Sequence, residues 1–351
     1  LPTPDFIRQA AIAAMNGGFT FYTENAGLPS TRQAIAEHYR RLHGVELDAR
    51  REIVVTASGV QALNVAIRCA LDPGDEAILL TPAWPNPSAM VAMSNAVPVE
   101  LPLVRCGERY AVDFVAIEAA VTARTRLLVY TSPSNPLGWV ATEAEQQGLL
   151  DLARRHGLWL LADEVYERLY YRGEVGEPAP SILKKAARRD AVIVTQSFSK
   201  SYAMTGWRLG WLVAREDLAD RAARLNEFIV SHAPSFTQKA GEAALKGGEA
   251  WIHEMSVRLK ENRDFCVEAL SRMRGVWVPR PDGAFYVFPR IEGVEDSMAL
   301  CRRILKEQRV GLAPGVAFGA GGEASVRICY ASERGILEQA MERLAAFFGG
   351  G

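Results

Sequence analysis

The sequence predicts an α/β fold, with a large domain built on a mostly parallel sheet between helices and a smaller α+β C-terminal domain. Three observations carry this prediction. Short apolar, β-branched runs recur between Ile53 and Val213, and small or polar residues and then helical spacing follow them. Past about Met273 the composition shifts to shorter elements. The chain has 351 residues, 49% of them apolar and 23% charged, more than one small core needs. A chain of that size can bury about three quarters of its unfolded surface without a metal or disulfide staple. The boundary falls at about 270, giving a ligand-binding domain over 1–270 and a small domain over 271–351.

Pro4 to Met15 has helical spacing, and Phe19-Thr20-Phe21-Tyr22 follows the Gly17-Gly18 break. Ser30 or Thr31 can cap the next helix, through Ile35 and Tyr39. The strand Ile53-Val54-Val55 runs into Thr56-Ala57-Ser58-Gly59-Val60-Gln61, which opens an amphipathic helix (Val60, Leu63, Ile67, Leu71). Small residues at such an N-terminus leave N–H groups free for a phosphate, and a plain N-cap explains them equally. After the turn Asp72-Pro73-Gly74-Asp75 comes the strand Ala77-Ile78-Leu79-Leu80, then Trp84 between Pro82 and Pro85. That tryptophan is either a stacking face for a flat ligand or a core residue.

Arg126 to Tyr130 is a strand ending in Thr131-Ser132-Pro133-Ser134-Asn135-Pro136-Leu137-Gly138, a turn on its own evidence. A helix from Glu143 to His156 precedes the strand Leu158 to Ala162, which ends in Asp163-Glu164-Val165-Tyr166. An acid placed there is partly desolvated and calls for a cationic or N–H partner, or else it caps a helix. The strand Ala191 to Thr195 delivers Gln196-Ser197-Phe198-Ser199-Lys200, with Arg208 eight positions beyond the lysine. Ligands bind at the C-terminal ends of such strands, and hydroxyls with a guanidinium suit a phosphate. A solvated Lys and Arg on a surface loop is the competing reading.

Leu209 to Val213 is expected at a sheet edge, and helices then reach about Met273 with a break near Lys246-Gly247-Gly248. Strands Val276 to Val278 and Ala284 to Phe288 flank Pro281-Asp282-Gly283. A helix over Met298 to Gln308, a Gly-rich loop over Pro314 to Gly322, a strand over Val326 to Tyr330 and a final helix complete the chain. Arg327 inside that last strand needs a reason, the plainest being an edge strand facing water.

Lys and Arg (40) balance Asp and Glu (41), which argues against a nucleic-acid or acidic-membrane binder. The five cysteines, Cys69, Cys106, Cys266, Cys301 and Cys329, are odd in number and widely spaced in apolar surroundings. They are expected to be small buried residues of a reducing, cytoplasmic protein. The five histidines lack metal-ligand spacing, so no metal is expected. No run reaches transmembrane length, and no signal peptide is visible. The chain starts at Leu1 without an initiator Met, so a preceding segment is expected.

Five strands thus place Ser58, Trp84, Asn135, Asp163 and Lys200 just past their ends. Together these supply a phosphate cradle, a stacking face, an amide, a carboxylate and an amine, and pyridoxal 5′-phosphate needs all five. From Tyr22 to Arg327 the chain resembles the class I/II aminotransferases of fold type I, the aspartate aminotransferase-like pyridoxal-phosphate enzymes. The motifs are Ser197-x-Ser199-Lys200 with Arg208-Leu209-Gly210, Asn135-Pro136-x-Gly138 and Asp163-x-x-Tyr166.

The resemblance implies a seven-stranded sheet and an enzyme that moves an amino group from an L-amino acid to a 2-oxo acid. It implies that Lys200 forms the Schiff base and shuttles the proton, and that Asp163 pairs with the pyridinium nitrogen. Tyr166 and Asn135 would bond the phenolic oxygen, and Trp84 would stack on the ring. Ser197, Ser199, Arg208 and the backbone around Gly59, Val60 and Gln61 would hold the phosphate. Arg327 would grip the substrate α-carboxylate, with Asn135 and Trp84 beside it. Tyr22 would reach the phosphate of the neighbouring subunit, implying a homodimer with shared sites.

In two respects the chain departs from the family. The family's segment with the Gly-containing loop that covers substrate is expected before Leu1. Val60 stands where some bacterial aspartate-specific members place a lysine, which weakens the case for an acidic side chain unless a residue of the partner subunit replaces it. Two other outcomes stay open at this stage. One is a lyase on the same cofactor (a C–S β-lyase or a cyclopropane-forming synthase). The other is a non-catalytic ligand-sensing domain of the kind fused to winged-helix regulators, which the absence of a basic helix-turn-helix segment disfavours.

Overall fold

A computed structural model describes residues 2–349, so Leu1, Gly350 and Gly351, where the two expected domains begin and end, lie outside it. The strands are β1 (Ile53–Thr56), β2 (Glu76–Thr81), β3 (Val97–Pro102), β4 (Val104–Cys106), β5 (Arg109–Ala111), β6 (Thr125–Thr131) and β7 (Trp159–Asp163). They continue with β8 (Val192–Ser197), β9 (Gly210–Ala214), β10 (Val276–Trp277), β11 (Tyr286–Val287), β12 (Arg290–Ile291), β13 (Ala313–Pro314) and β14 (Val326–Cys329). The helices are α1 (Asp5–Asn16), α2 (Pro29–His43), α3 (Gly59–Ala70), α4 (Asn86–Met93), α5 (Phe114–Ala120) and α6 (Glu143–His156). After them come α7 (Phe198–Ser201), α8 (Glu216–Ile229), α9 (Ser235–Gly247), α10 (Glu249–Ser271), α11 (Ser297–Gln308) and α12 (Arg334–Phe348).

A seven-stranded sheet runs in the order β1-β9-β8-β7-β6-β2-β3, and β9 alone is reversed against its neighbours β1 and β8. Side chains alternate faces along a strand, and the two faces bury separate clusters. Val54, Leu79, Val129, Leu161, Ile193 and Leu212 pack beneath α3, α4 and α8. Val55, Leu80, Tyr130, Leu160, Val194 and Trp211 pack beneath α2, α6 and α9. A sheet covered on both sides explains why its strands read as continuous apolar runs. Because β1, β2, β6, β7 and β8 share one direction, their C-terminal tips meet on one rim. Beyond α10, β14 is the centre of a three-stranded sheet, between β11 and β13.

Several elements differ from expectation. The strand at Gly210–Ala214 is interior and wholly buried, and the edges fall to the four-residue β1 and to β3. Its uniform apolar run suits an interior position, since edge strands are kept short or interrupted. β3 escaped notice because Pro98 and Pro102 break its pattern, and proline is tolerated at an edge. Neither Ser30 nor Thr31 caps α2, which starts at Pro29. Both hydroxyls donate instead to Glu242 on α9, at 2.7 and 2.8 Å. The strand at Val276 is two residues long and pairs with Arg290–Ile291, a strand that the sequence did not indicate. Arg327 stands on a central strand, not an edge, and is half-buried. All five cysteines are free, and Cys106 and Cys329 are exposed, on the β4–β5 hairpin and on β14 respectively. No helix among the described residues is long and apolar enough to cross a membrane.

Candidate active site

The rim encloses a cavity of about 270 Å³. Of the residues singled out from the sequence, Gly59, Val60, Trp84, Asn135, Asp163, Tyr166, Ser197, Ser199, Lys200, Arg208 and Arg327 line it. Ser58, Gln61 and Tyr22 do not.

At one end α3 begins. Ser58 caps it by accepting from the amide of Gln61 at 3.2 Å, so that amide is committed. The Gln61 side chain points away, donating to Asn226 Oδ1 at 2.7 Å. The first-turn amides of Gly59 and Val60, which have no intrahelical acceptor, remain for an anion. Glycine is required at 59 by crowding, because a Cβ there would sit 2.8 Å from Ser197 Cβ. Ser197 in turn caps α7, accepting from the Ser199 amide at 3.1 Å, and so sets the short helix that presents Lys200. Arg208, with φ of 51°, steadies its own turn through a 2.6 Å bond from Nη1 to the Thr205 carbonyl.

Asp163 lies at the floor, buried, with Oδ1 accepting from the Thr195 hydroxyl at 3.2 Å. Burial pushes its carboxyl up to about 7, against the opposing pull of Thr195, the Val165 backbone and Lys200. A carboxylate held so has no cation at contact distance among the described residues. A ring N–H⁺ would supply that partner. Burial also lowers the proton affinity of the Lys200 amine, the opposed influences of Cys329 and Arg327 coming second. Its Nζ stands 5.8 Å from the ring centre of Tyr166 and 5.8 Å from that of Phe285. Trp84, half-buried in the connection from β2 to α4, supplies a flat wall.

Arg327 reaches in from β14 and donates from Nη1 to Asn135 Oδ1 at 2.9 Å. Its Nε is buried and has no partner among the described residues, a donor left for an incoming carboxylate. The donor set therefore fits pyridoxal phosphate together with a carboxylate substrate: amides and hydroxyls for the phosphate, an acid for the ring nitrogen, an amine for the aldehyde and a guanidinium beyond.

The family profile described as "Aminotransferase class I and II" matches residues 1–344. The chain belongs to that family. This aminotransferase is 34% identical to an aspartate aminotransferase of Pyrococcus horikoshii over 345 residues, which is 97% of this chain and 86% of the relative. It is 33% identical to an aromatic-amino-acid aminotransferase of Thermococcus litoralis, over 97% of this chain and 87% of that one. The crystal structure of an aromatic aminotransferase from Pyrococcus horikoshii superposes with a TM-score of 0.94 at 34% identity, covering 99% of this chain and 93% of that one. The protein is a pyridoxal-phosphate-dependent transaminase of fold type I.

Sequence reasoning missed Leu63, Thr131, Val165, Thr205 and Tyr286 in the cavity lining, and Thr195 behind Asp163. Thr195 and Tyr286 were inside recognised strands, where period-two alternation could have assigned their faces; the pairing that brings Tyr286 to the site is not a local signal. Tyr22 is 90% exposed, its ring edge-on to His232 at 5.6 Å.

Proposed function

We propose that the aminotransferase acts on L-amino acids with uncharged side chains, using Lys200 as the reactive amine and Asp163 as the counter-ion of the ring nitrogen. The observation that carries this reading is one cavity holding a buried acid, with no cation in contact among the described residues, and a desolvated lysine. When bound, the cofactor supplies an aldehyde for the amine and an electron sink for the pair left at the substrate α-carbon.

The chain's own residues do the rest. Asp163, oriented by Thr195, holds the proton on the ring nitrogen. The Tyr166 hydroxyl and the Asn135 amide donate toward the phenolic oxygen. Ser197, Ser199, Arg208 and the Gly59 and Val60 amides hold the phosphate. Arg327, with Asn135 at its side, fixes the α-carboxylate and so turns the C–H bond toward Lys200, whose weakened proton affinity suits it to take and return that proton. Val60, Trp84 and Tyr286 line the cavity, and position 60 carries no charge, which supports a neutral side chain. No observation on the site favours the lyase or the sensing outcome.

A homodimer with shared sites is part of the proposal. Phe21 (81%), Tyr22 (90%) and Phe228 (85%) are exposed beside Ile229, Val230 and Met93, more apolar surface than solvent alone favours. A second copy seated there would bring its Tyr22 toward this phosphate site. We also assign residues 1–270 to the cofactor-binding domain and 271–351 to the small one. A reducing cytoplasmic setting agrees with five free thiols.

The test is absorbance of protein loaded with pyridoxal phosphate. Wild type should show a visible band that bleaches as individual amino acids are added, in the absence of any 2-oxo acid. Lys200→Ala should lose the pH-dependent band and fall about ten-thousandfold in turnover. A Lys200→Ala band identical to wild type defeats the assignment.

A further inference from the structure

Tyr286 enters the roles above only as part of the cavity lining, yet it touches two of the groups that act there. It lies on β11, opposite Cys329 of β14, so it shares a face of that ladder with Arg327 two positions away. Its ring centre lies 4.5 Å from the Arg327 guanidinium carbon, and the ring centre of Phe318 lies 5.0 Å from the same carbon. Its hydroxyl is 3.3 Å from the Tyr166 hydroxyl, the two rings meeting edge to face at 6.0 Å.

We propose that Tyr286 is a positioning residue that ties the carboxylate-gripping arginine to the hydroxyl of Tyr166. The inference rests on the functional reading of Arg327 and Tyr166 given above.

Two physical arguments support it. A hydroxyl carries one proton. If Tyr166 gives its proton to a ligand oxygen, the bond between the two tyrosines must be donated by Tyr286. A donor chain of this kind polarises along its length, so Tyr286 strengthens the bond that Tyr166 makes. Burial raises the proton affinity of both phenols, so both protons are in place at neutral pH. The ring meanwhile holds Arg327 by cation–π contact in a site where a long side chain would otherwise sample several rotamers. Phe285 and Phe288 lie on either side in sequence, and neither can supply the hydroxyl.

The experiment uses the loaded enzyme and two readouts other than turnover. One is the pH titration of the visible band. The other is the dissociation constant of an α-methyl amino acid, which carries the carboxylate but no α-proton to lose. A donor to an oxygen anion lowers that site's affinity for a proton. Tyr286→Phe should therefore move the titration midpoint up by about 0.5 pH unit. Binding of the α-methyl ligand should change less than about twofold, because the ring is kept. Tyr286→Leu should show the same upward shift and in addition bind the ligand about fivefold more weakly. A Tyr286→Phe titration that overlays wild type, or a Tyr286→Leu protein that binds as tightly as Tyr286→Phe, overturns the proposal. Failure of the underlying reading looks different: wild type itself would lack a titrating band, or Lys200→Ala would keep it.

Discussion

Asp163 and Glu167 leave the end of the same strand, and both are buried, yet their carboxyls are driven in opposite directions. Burial raises both. At Asp163 the Thr195 hydroxyl, the Val165 backbone and Lys200 offset it only in part, and the carboxyl sits at about 7. At Glu167 the rings of His38 and His43, at 3.2 and 3.3 Å, more than offset burial and hold the carboxyl well below the usual range. The Gln196 side-chain amide donates to the same carboxylate. Glu164, between them in sequence, behaves like Asp163: burial pushes it up to about 8 although it accepts from the Ile182 amide. The acid surrounded by the chain's own donors is finished structure, whereas the acid in the cavity is left for a partner the chain does not contain.

Removing the cavity acid should give the largest effect. Asp163→Asn should lower transamination about a thousandfold, the equivalent of a buried charge pair worth about 4 kcal/mol. The same substitution should stabilise the cofactor-free protein at pH 8 by about 2–4 kcal/mol. The sign follows from linkage. The folded-state value of about 7 lies above the ordinary 3.8, so the folded chain binds this proton more tightly than the unfolded one does. The favourable contribution is full below about pH 4 and is lost as pH rises to about 7. The stability difference between Asp163→Asn and wild type, from urea unfolding of the cofactor-free proteins, should widen over that window. A difference that stays flat with pH would remove the contrast with Glu167.

Glu167→Gln should do the reverse, costing about 3 kcal/mol of stability while leaving turnover of the loaded enzyme within about tenfold. Loss of turnover without loss of stability would place Glu167 in the chemistry and blur the comparison. The smallest effect belongs to the hydroxyl that steers Asp163. Thr195→Val removes one buried hydrogen bond, about 1 kcal/mol, so cofactor affinity measured by absorbance titration should weaken about fivefold.

Much of this site could be read in the chain because polar residues followed apolar runs. Asp163 directly after Leu160-Leu161-Ala162 and Lys200 after the run ending at Thr195 are local signals, and a parallel sheet gathers such tips on one rim. The Glu167 cluster gave no such signal. His38 lies 129 residues from Glu167 in sequence, and no periodicity links a helix histidine to a carboxylate beyond a distant strand. Tyr286 was equally hidden, since its neighbours Arg327 and Tyr166 depend on the pairing of β11 with β14 and on how that ladder packs against the large sheet.

The amino-acid order by itself determined the alternation of strand and helix, the two-sided burial of the sheet and the chemistry offered at its rim. These are set by side-chain period and by which residues break a run, and both act over a few positions. Only the tertiary structure decided that β9 runs reversed inside the sheet, that Gln61 turns away from the cavity, and that Asp163 goes without a cation while Glu167 has its histidines. Those outcomes depend on contacts between residues far apart in the chain. The free energy of a buried charge is set by what surrounds it, not by its neighbours in sequence.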